Sequence, residues 1–150
     1  MKQRDRVTMT ADETSAFLAG SRKLQLATLN PDGAPHLVTM FYTVLEGQIA
    51  FWTYRASQKA RNMLRDPRVT CLVESGENYF ELQGVQVHGR VAIIEDPAEI
   101  LRIGTRISAD LTGVPGEGLA DFVAHTARKR LGYIVQPSRI SSWDHRKLLA

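Results

Sequence analysis

Hydrophobic and polar residues alternate along much of the chain, and this pattern predicts a series of β-strands. Turn signals bound the first of them. Asn-Pro-Asp-Gly at residues 30–33 separates the first two strands, and Glu46-Gly47 ends the second. The strands predicted in this way cover residues 24–29, 35–44, 48–54, 68–74, 79–95 and 131–140. The first three form a three-stranded meander.

The alternation changes within the predicted strand at residues 79–95. Phe80 and Leu82 occupy even positions, whereas the apolar series that starts at Val85 occupies odd ones. Gly84 lies at the change. We predict a bulge or a sharp bend there, because one extra residue returns the later side chains to the core face. Bent strands of this kind are typical of small barrels.

Capping signals and helical spacing predict helices around these strands. Thr10 and Glu13 have the spacing of a capping box and begin a short helix. Ser57 caps a second helix that ends at Arg65, before Asp66-Pro67. Further predicted segments are a helix from 97 to about 107, a loop at 111–118, a helix at 119–126 with a basic end at 128–130, and a polar tail at 141–150. This order indicates an antiparallel barrel rather than a parallel doubly wound sheet.

Length and composition narrow the class of protein. The 150 residues are expected to form one domain, and 43% apolar with 23% charged residues is ordinary for a globular chain. A net charge of +3 without a run of like charges does not indicate a nucleic-acid partner. Cys71 lies in an apolar run and is expected to be a buried free thiol. With neither a signal peptide nor an apolar span of membrane length, the expected location is cytoplasmic.

The helix that follows Ser57 carries the main candidate chemistry. Arg55, Lys59 and Arg61 surround a helix start whose backbone N–H groups point outward, and the Ser57 hydroxyl lies beside them. Such an arrangement is suited to binding a phosphate or a carboxylate. The alternative is a solvated basic helix between two strands. The residues alone leave both interpretations open.

No sequence motif indicates a metal site or an acid–base catalyst. The histidines are scattered and lack metal-ligand spacing, so no metal is expected. Ser141-Ser142 and His145 have no acidic partner of known geometry. This pattern favours a redox enzyme that depends on a cofactor, since such an enzyme needs only to hold two reactants in place.

Two stretches resemble a known family. They are LATLNPDGAPH at residues 26–36 and the S-x-K-x-x-N-x-x-R-D-P-R-V string at 57–69, and the bent strand with Gly84 supports them. Together they resemble the pyridoxamine-5'-phosphate-oxidase-like, FMN- and F420-binding split-barrel family, from about residue 10 to residue 145. The string at 57–69 is most similar to the actinobacterial branch that binds coenzyme F420 rather than FMN.

The resemblance implies a mainly β fold, a six- to seven-stranded antiparallel split barrel with peripheral helices, and a homodimer with cofactor sites at the interface. The implied cofactor-binding residues are Thr39, Met40, Trp52, Thr53, Tyr54, Ser57, Gln58, Lys59, Asn62, Glu77, Asn78 and Tyr79. Residues 39–40 and 52–54 would line the ring, 57–59 would hold the phosphate with Asn62 behind them, and 77–79 would come from the partner subunit. Tyr79 is the candidate proton donor, and Trp143 of the partner could cover the ring.

The implied function is transfer of a hydride from reduced F420 to a conjugated, electron-poor small molecule. Alternatives are an FMN-dependent oxidase or reductase of the same fold, a non-catalytic F420- or haem-binding protein, and a structural dimer. One departure is that Ser57 stands where many relatives carry arginine, and Arg55 could take its place. Trp52 and Tyr54 are also interpretable as barrel core and rim, and Arg61 and Arg65 as solvated charges.

Overall fold

The computed structural model describes residues 1–109 and 116–150, and seven antiparallel strands of this part form one curled sheet in the order β2-β1-β5-β6-β7-β4-β3. The strands are β1 (Lys23–Leu29), β2 (Pro35–Phe41), β3 (Thr43–Leu45), β4 (Gln48–Tyr54), β5 (Arg68–Ser75), β6 (Gln83–Ile94) and β7 (Arg130–Asp144). The helices are α1 (Gln3–Val7), α2 (Ala11–Gly20), α3 (Gln58–Arg65), α4 (Pro97–Ala109) and α5 (Gly116–Ala127), with 3-10 turns at Tyr79–Glu81 and His145–Leu148. Among the described residues, every helix is too short or too polar to span a lipid bilayer.

Tyr42 joins the two ends of the sheet. The predicted strand at 35–44 is in fact two strands, because the chain bends at this residue and its side chain turns into the core, where it is 2% exposed. The Tyr42 hydroxyl donates a hydrogen bond to the carbonyl oxygen of Leu18 in α2. β2 pairs with β1 and β3 pairs with β4, so the predicted meander order holds, with a bent middle strand. This bend closes the sheet, and the predicted antiparallel split barrel is confirmed.

The predicted bulge at Gly84 is wrong. β6 begins only at Gln83, and Phe80 lies in a 3-10 turn with its side chain 47% exposed, so the change of alternation arose from residues outside the strand. The irregularity lies between His88 and Gly89, opposite β7. Gly84 has another role: a Cβ there would lie 2.2 Å from Cζ2 of Trp143, so glycine makes room for the indole.

The last strand is longer than predicted. The predicted strand at 131–140 starts one residue earlier, at Arg130, and continues through the supposed polar tail to Asp144. Trp143 therefore belongs to β7 and pairs with Gly84 of its own chain. The basic residues at 128–130 are not a helix end, because α5 stops at Ala127 and Arg130 is the first residue of β7.

The helices follow their capping signals. Thr10 and Glu13 form the predicted capping box of α2, and the Asp96 carboxylate accepts the N–H of Glu99 at the start of α4. α5 starts at Gly116, so residues 116–118 of the predicted loop are helical, whereas residues 111–115 of that loop lie outside the described residues. The helix α1 was not predicted.

Two apolar clusters hold the structure together. The first fills the barrel, and its members include Leu26, Phe51, Cys71 and Tyr133. The second lies between the barrel wall and the α4–α5 pair, and Trp52 is its largest side chain. Since β4 contributes to both clusters, five consecutive residues at 49–53 are buried. The end of β4 and the helix that follows it are thereby held firmly.

Candidate functional site

Ser57 begins α3 as predicted, but its hydroxyl is engaged within the chain. Ser57 Oγ accepts the N–H of Ala60 at 3.2 Å and donates to the carbonyl oxygen of Tyr54 at 2.8 Å. The N–H groups of Gln58 and Lys59 belong to the first turn, where a helix offers no intrahelical acceptor. The helix start therefore presents backbone donors, whereas Ser57 acts as its cap.

Asn62 lies behind this helix start, as the sequence predicts, and is fully buried. Its Nδ2 donates to Thr28 Oγ at 3.0 Å and to Asn30 Oδ1 at 2.9 Å. Its Oδ1 accepts from Gln58 Nε2 at 2.8 Å and from Arg65 Nη2 at 3.2 Å. The side chain is thus fully hydrogen-bonded within the protein. It fastens α3 to the end of β1 and leaves no group for a ligand.

Lys59 lies in the first turn of α3, and Arg130 is the first residue of β7. Burial, and then the positive charge of Arg130, lower the pKa of the Lys59 ammonium. Neither side chain has a carboxylate within ion-pair distance in the described ranges 1–109 and 116–150. The Nε–H of Arg130 is buried and has no hydrogen-bond partner among the same residues. Unpaired cations at a helix start can receive an anion.

Arg130 was missed by the sequence analysis. The β4–β7 register places it opposite Tyr54, with its guanidinium carbon 4.2 Å from the Tyr54 ring centroid and 4.4 Å from that of Trp52. Its position in the basic run at 128–130 suggested a role at a helix end. Only the pairing of β4 with β7 reveals its neighbours, and that pairing has no local signal.

Trp52 is a core residue, in agreement with the alternative interpretation. It is 6% exposed, and a Cβ on Gly104 of α4 would lie 2.3 Å from its ring, so the two fit closely. Thr53 is buried and Tyr54 lies at the rim, 45% exposed. Of the implied ring contacts at residues 52–54, only those of Tyr54 are accessible from outside the barrel.

The backbone of β4 has an open edge beside this rim. β4 pairs with β7 over residues 50–54, but on its other side β3 pairs only with residues 48–50. Within the part of the chain that the structure describes, the edge at residues 51–54 has no strand partner. Residues 51–53 of this edge are nevertheless buried, and only Tyr54 is exposed, so a ligand could reach the strand only at its Tyr54 end.

Thr39 and Met40 point to opposite faces of β2, because successive strand residues alternate. Thr39 is exposed and its Oγ donates to Gln25 Oε1 at 2.9 Å. Met40 is half-buried and packs against the barrel core. Leu37 and Phe41 share the outer face with Thr39 and are 66% and 47% exposed. A ligand at this strand would contact the Thr39 side chain from outside.

The residues at 77–79 lie at the opposite end of the barrel from Lys59. They precede Gln83, the first residue of β6. Arg130 begins β7, which runs antiparallel to β6, and therefore lies beyond Ile94 at the other end of β6. The β6–β7 ladder between these ends is about 35 Å long at 3.3 Å per residue. One chain therefore does not bring the two groups to the same small ligand.

Tyr79 is 54% exposed on this far end. Its hydroxyl accepts from Gln3 Nε2 at 3.0 Å, and its carbonyl oxygen accepts from His145 Nδ1 at 2.8 Å. Asn78 and Glu77 are exposed as well, and the side chain of Asn78 donates to Glu81 Oε2 at 3.1 Å. The loop therefore presents the Tyr79 phenol at the surface, where a second molecule can reach it.

The other candidate cations differ in role. Arg65 is exposed, and it also donates to the carbonyl oxygen of Leu29 and to Asn62. Arg61 is exposed. Arg55 donates from Nη1 to the carbonyl oxygen of Arg128 at 3.1 Å, which keeps its charge on the same side of the barrel as Arg130.

Comparison with solved structures places the whole chain among known folds. A conserved hypothetical protein of Mycobacterium tuberculosis, Rv2991, is 40% identical, with a TM-score of 0.91 over 100% of this chain and 94% of that one. An F420 reductase is 27% identical, with a TM-score of 0.62 over 85% of this chain and 94% of that one. A FAD-binding protein of Mesorhizobium loti shares the fold at 18% identity, with a TM-score of 0.68 over 90% of this chain and 94% of that one.

A comparison with curated proteins found no significant match. The family model for pyridoxamine 5'-phosphate oxidase matches residues 10–144, which span nearly all the strands and helices described above. The predicted split barrel and the capped helix after β4 lie within this match. The chain therefore belongs to the pyridoxamine 5'-phosphate oxidase family.

Proposed function

We propose that this protein is an oxidoreductase that uses reduced coenzyme F420 to reduce a conjugated, electron-poor small molecule. The observation that carries the proposal is two cations that lack an ion-pair partner among the described residues: Lys59 in the first turn of α3, and Arg130 opposite Tyr54 at the rim of β4. Family membership and the similarity to an F420 reductase support a flavin-like cofactor of this kind.

The residues at the helix start fit the phosphate of such a cofactor. Lys59 supplies a partly desolvated ammonium, and the first-turn N–H groups of α3 supply neutral donors. Bonds of these donors to a phosphate are charge-assisted and therefore strong. Ser57 contributes by fixing the helix start, and Asn62 by fastening the helix to β1.

The ring would lie at the Tyr54 end of β4, the exposed part of residues 52–54, with the outer face of β2 nearby. When bound, the deazaflavin supplies a hydride from its ring. The protein holds the ring and the acceptor together, so that proximity and orientation provide the catalysis. The close packing of Trp52 against Gly104 of α4 holds the end of β4 in place.

A second subunit completes the site in this proposal. Residues 77–79 and the Tyr79 hydroxyl lie about 35 Å along the strands from Lys59 in one chain, so only another copy can bring them to the same cofactor. Tyr79 of that copy is the proposed proton donor to the reduced acceptor.

Complementation tests this arrangement. A mixture of Lys59→Gln and Tyr79→Phe subunits, unfolded and refolded together, is expected to regain about a quarter of the wild-type sites, because half of the dimers are mixed and each has one intact site. Each variant refolded alone is the control. Activity that never exceeds the controls would exclude a site shared between subunits.

The proposal is tested by fluorescence titration of the chromophore-free protein with F420 and, in parallel, with FMN. Lys59→Gln is expected to weaken F420 binding at least tenfold, since a charge-assisted hydrogen bond contributes about 1.5–3 kcal/mol. Arg61→Gln is the matched control, because it removes the same charge from an exposed position of the same helix.

A protein that binds F420 tightly is then assayed by the oxidation of reduced F420 in the presence of quinones and enones. Preference for FMN would instead favour an FMN-dependent oxidase or reductase, which the family and the shared phosphate also allow. Binding of neither cofactor would refute the proposal.

A further inference from the structure

We infer that a cavity on the outer face of the sheet binds a small molecule that carries a phosphate group, at a site separate from the one proposed for the cofactor. The cavity has a volume of about 520 Å³ and lies where β1, β5, β6 and β7 run side by side. No aspartate or glutamate of residues 1–109 and 116–150 lines it. Its polar wall is formed by Arg68, Thr70, His88, Arg90 and Ser138.

Two arginines of this wall lie directly opposite each other. Arg68 of β5 pairs with Arg90 of β6 in the antiparallel ladder. Directly opposed cross-strand residues have Cβ atoms about 5 Å apart, and like charges at this spacing are destabilising. The two arginines share one nearby carboxylate, that of Asp66, which accepts from Arg68 Nη2 at 2.7 Å and from Arg68 Nε at 3.1 Å. Arg90 is exposed and has no ion pair within the described ranges. An oxyanion in the cavity would compensate the remaining positive charge.

A bulge in the β6–β7 ladder adds two further polar groups to the wall. The register shifts between His88 and Gly89, which leaves Ser138 without a cross-strand partner. Ser138 Oγ donates to the carbonyl oxygen of His88 at 3.1 Å, and Thr70 Oγ lies 3.1 Å from His88 Nδ1. These contacts fix the backbone and the ring of His88, so that Nε2 is the ring nitrogen that a ligand can use. Bulges of this kind often direct side chains into functional sites.

The side of the cavity toward β2 is apolar. Ala27 and Leu29 of β1 line it together with Pro35, the first residue of β2. Ala27 lies opposite Thr70 in the β1–β5 ladder, so the apolar side adjoins the polar wall. A cavity with a few convergent polar groups beside an apolar surface is typical of a small-molecule site. The phosphate group would contact the arginines, and an apolar part of the same molecule would cover the side toward β2.

The cavity is distinct from the start of α3. Asp66 ends this helix, and Arg68 follows as the first residue of β5. The eight residues of α3 span about 12 Å, so Arg68 lies beyond the opposite end of the helix from Ser57 and Lys59. Neither of these two residues lines the cavity. The inference therefore does not depend on the proposed function.

The test is a titration of the wild-type protein with phenyl phosphate at constant ionic strength, followed through the imidazole signals in a ¹H–¹³C NMR spectrum. The chain has four histidines, and a His88→Gln variant assigns the His88 signal. A saturable shift of this signal is expected. Arg90→Gln should weaken binding at least tenfold, because it removes a charge-assisted hydrogen bond to the phosphate. Arg128→Gln, which changes an exposed arginine outside the cavity, is the control and should bind as the wild type does.

A His88 signal that phenyl phosphate does not shift, or equal affinity of Arg90→Gln and the wild type, would overturn the inference. Inorganic phosphate should bind more weakly than phenyl phosphate, since it buries no apolar surface, and equal affinities would overturn the role of the apolar side. Circular dichroism verifies folding of each variant, and the wild-type titration decides the question even if Arg90→Gln does not fold.

Lys59→Gln separates this site from the proposed cofactor site. The variant should weaken F420 binding and leave the shift of the His88 signal by phenyl phosphate unchanged. Loss of that shift in Lys59→Gln would overturn the separate site, whereas an unchanged shift in a protein that binds no F420 would overturn the proposed function alone.

Discussion

Replacing Asn62 by alanine tests whether this residue fastens α3 or binds the cofactor. The substitution removes four hydrogen bonds from a fully buried side chain and leaves the Thr28 hydroxyl, 1% exposed, without its donor. Each such bond contributes about 0.5–1.5 kcal/mol net, and an orphaned buried group adds to the cost. We expect the free energy of unfolding to fall by about 2–4 kcal/mol, and Tm by about 5–15 °C for a chain of this length.

The assay is urea unfolding followed by circular dichroism, with the m-value as a check that two-state behaviour is retained. Thr28→Val is the second variant of the pair, since valine keeps the shape of the threonine side chain and removes the hydroxyl that accepts from Asn62. If the Asn62–Thr28 bond is real, the double variant should lose about 1 kcal/mol less than the sum of the single variants.

A loss below about 1 kcal/mol in Asn62→Ala would refute the structural accounting. The F420 titration gives an independent check. A direct ligand contact would weaken F420 binding as strongly as Lys59→Gln does. A fastening role predicts a smaller loss of affinity together with a large loss of stability.

Two further predictions concern the barrel. Gly84→Ala should lower the free energy of unfolding by about 1–3 kcal/mol, because the added Cβ would lie 2.2 Å from the Trp143 ring. Gly20→Ala is the control in thermal unfolding, since its Cβ would have no atom within 4 Å. Equal stability of the two variants would contradict the close packing of Gly84 against Trp143. Burial raises the pKa of Cys71 from 9.0, and that of Tyr42 from 10.0, to about 12. Above about pH 9 the unfolded chain therefore binds fewer protons than the folded one, so urea midpoints should fall as the pH rises from 9 toward 12. Cys71→Ala should make the urea midpoint fall less steeply in the lower part of this pH range. An unchanged dependence of the midpoint on pH would exclude the thiol as the cause of the fall.

Elements with local signals were predictable from the sequence. β4 has the predicted bounds because its apolar run is followed directly by the Ser57 cap, and α3 ends where Asp66-Pro67 cannot continue it. The capping box of Thr10 likewise begins α2. The capped start of α3 could be predicted to the same extent, whereas phosphate binding there stays a prediction.

Features that depend on distant pairing were not predictable. Arg130 faces Tyr54 only because β7 pairs with β4. Nothing in the sequence of either strand indicates that the two are neighbours in the sheet. The bend at Tyr42 follows from closure of the sheet, and no glycine, proline or other turn residue in 38–45 marks it in the sequence. The extra length of β7 was missed because its last residues are polar and pair with β6 on the half-exposed wall.

The position of β7 has a consequence for biosynthesis. β7 lies between β4 and β6 in the sheet and is the last strand in the chain. Before β7 pairs, the chain has two separate pieces of sheet, the β3–β4 hairpin and the β2-β1-β5-β6 sheet, which are connected at Tyr42 and again through α3. Each piece then exposes one unpaired edge that can recruit another chain. Insertion of β7 closes both edges in a single step, so the barrel can be completed only after residues 130–144 have emerged.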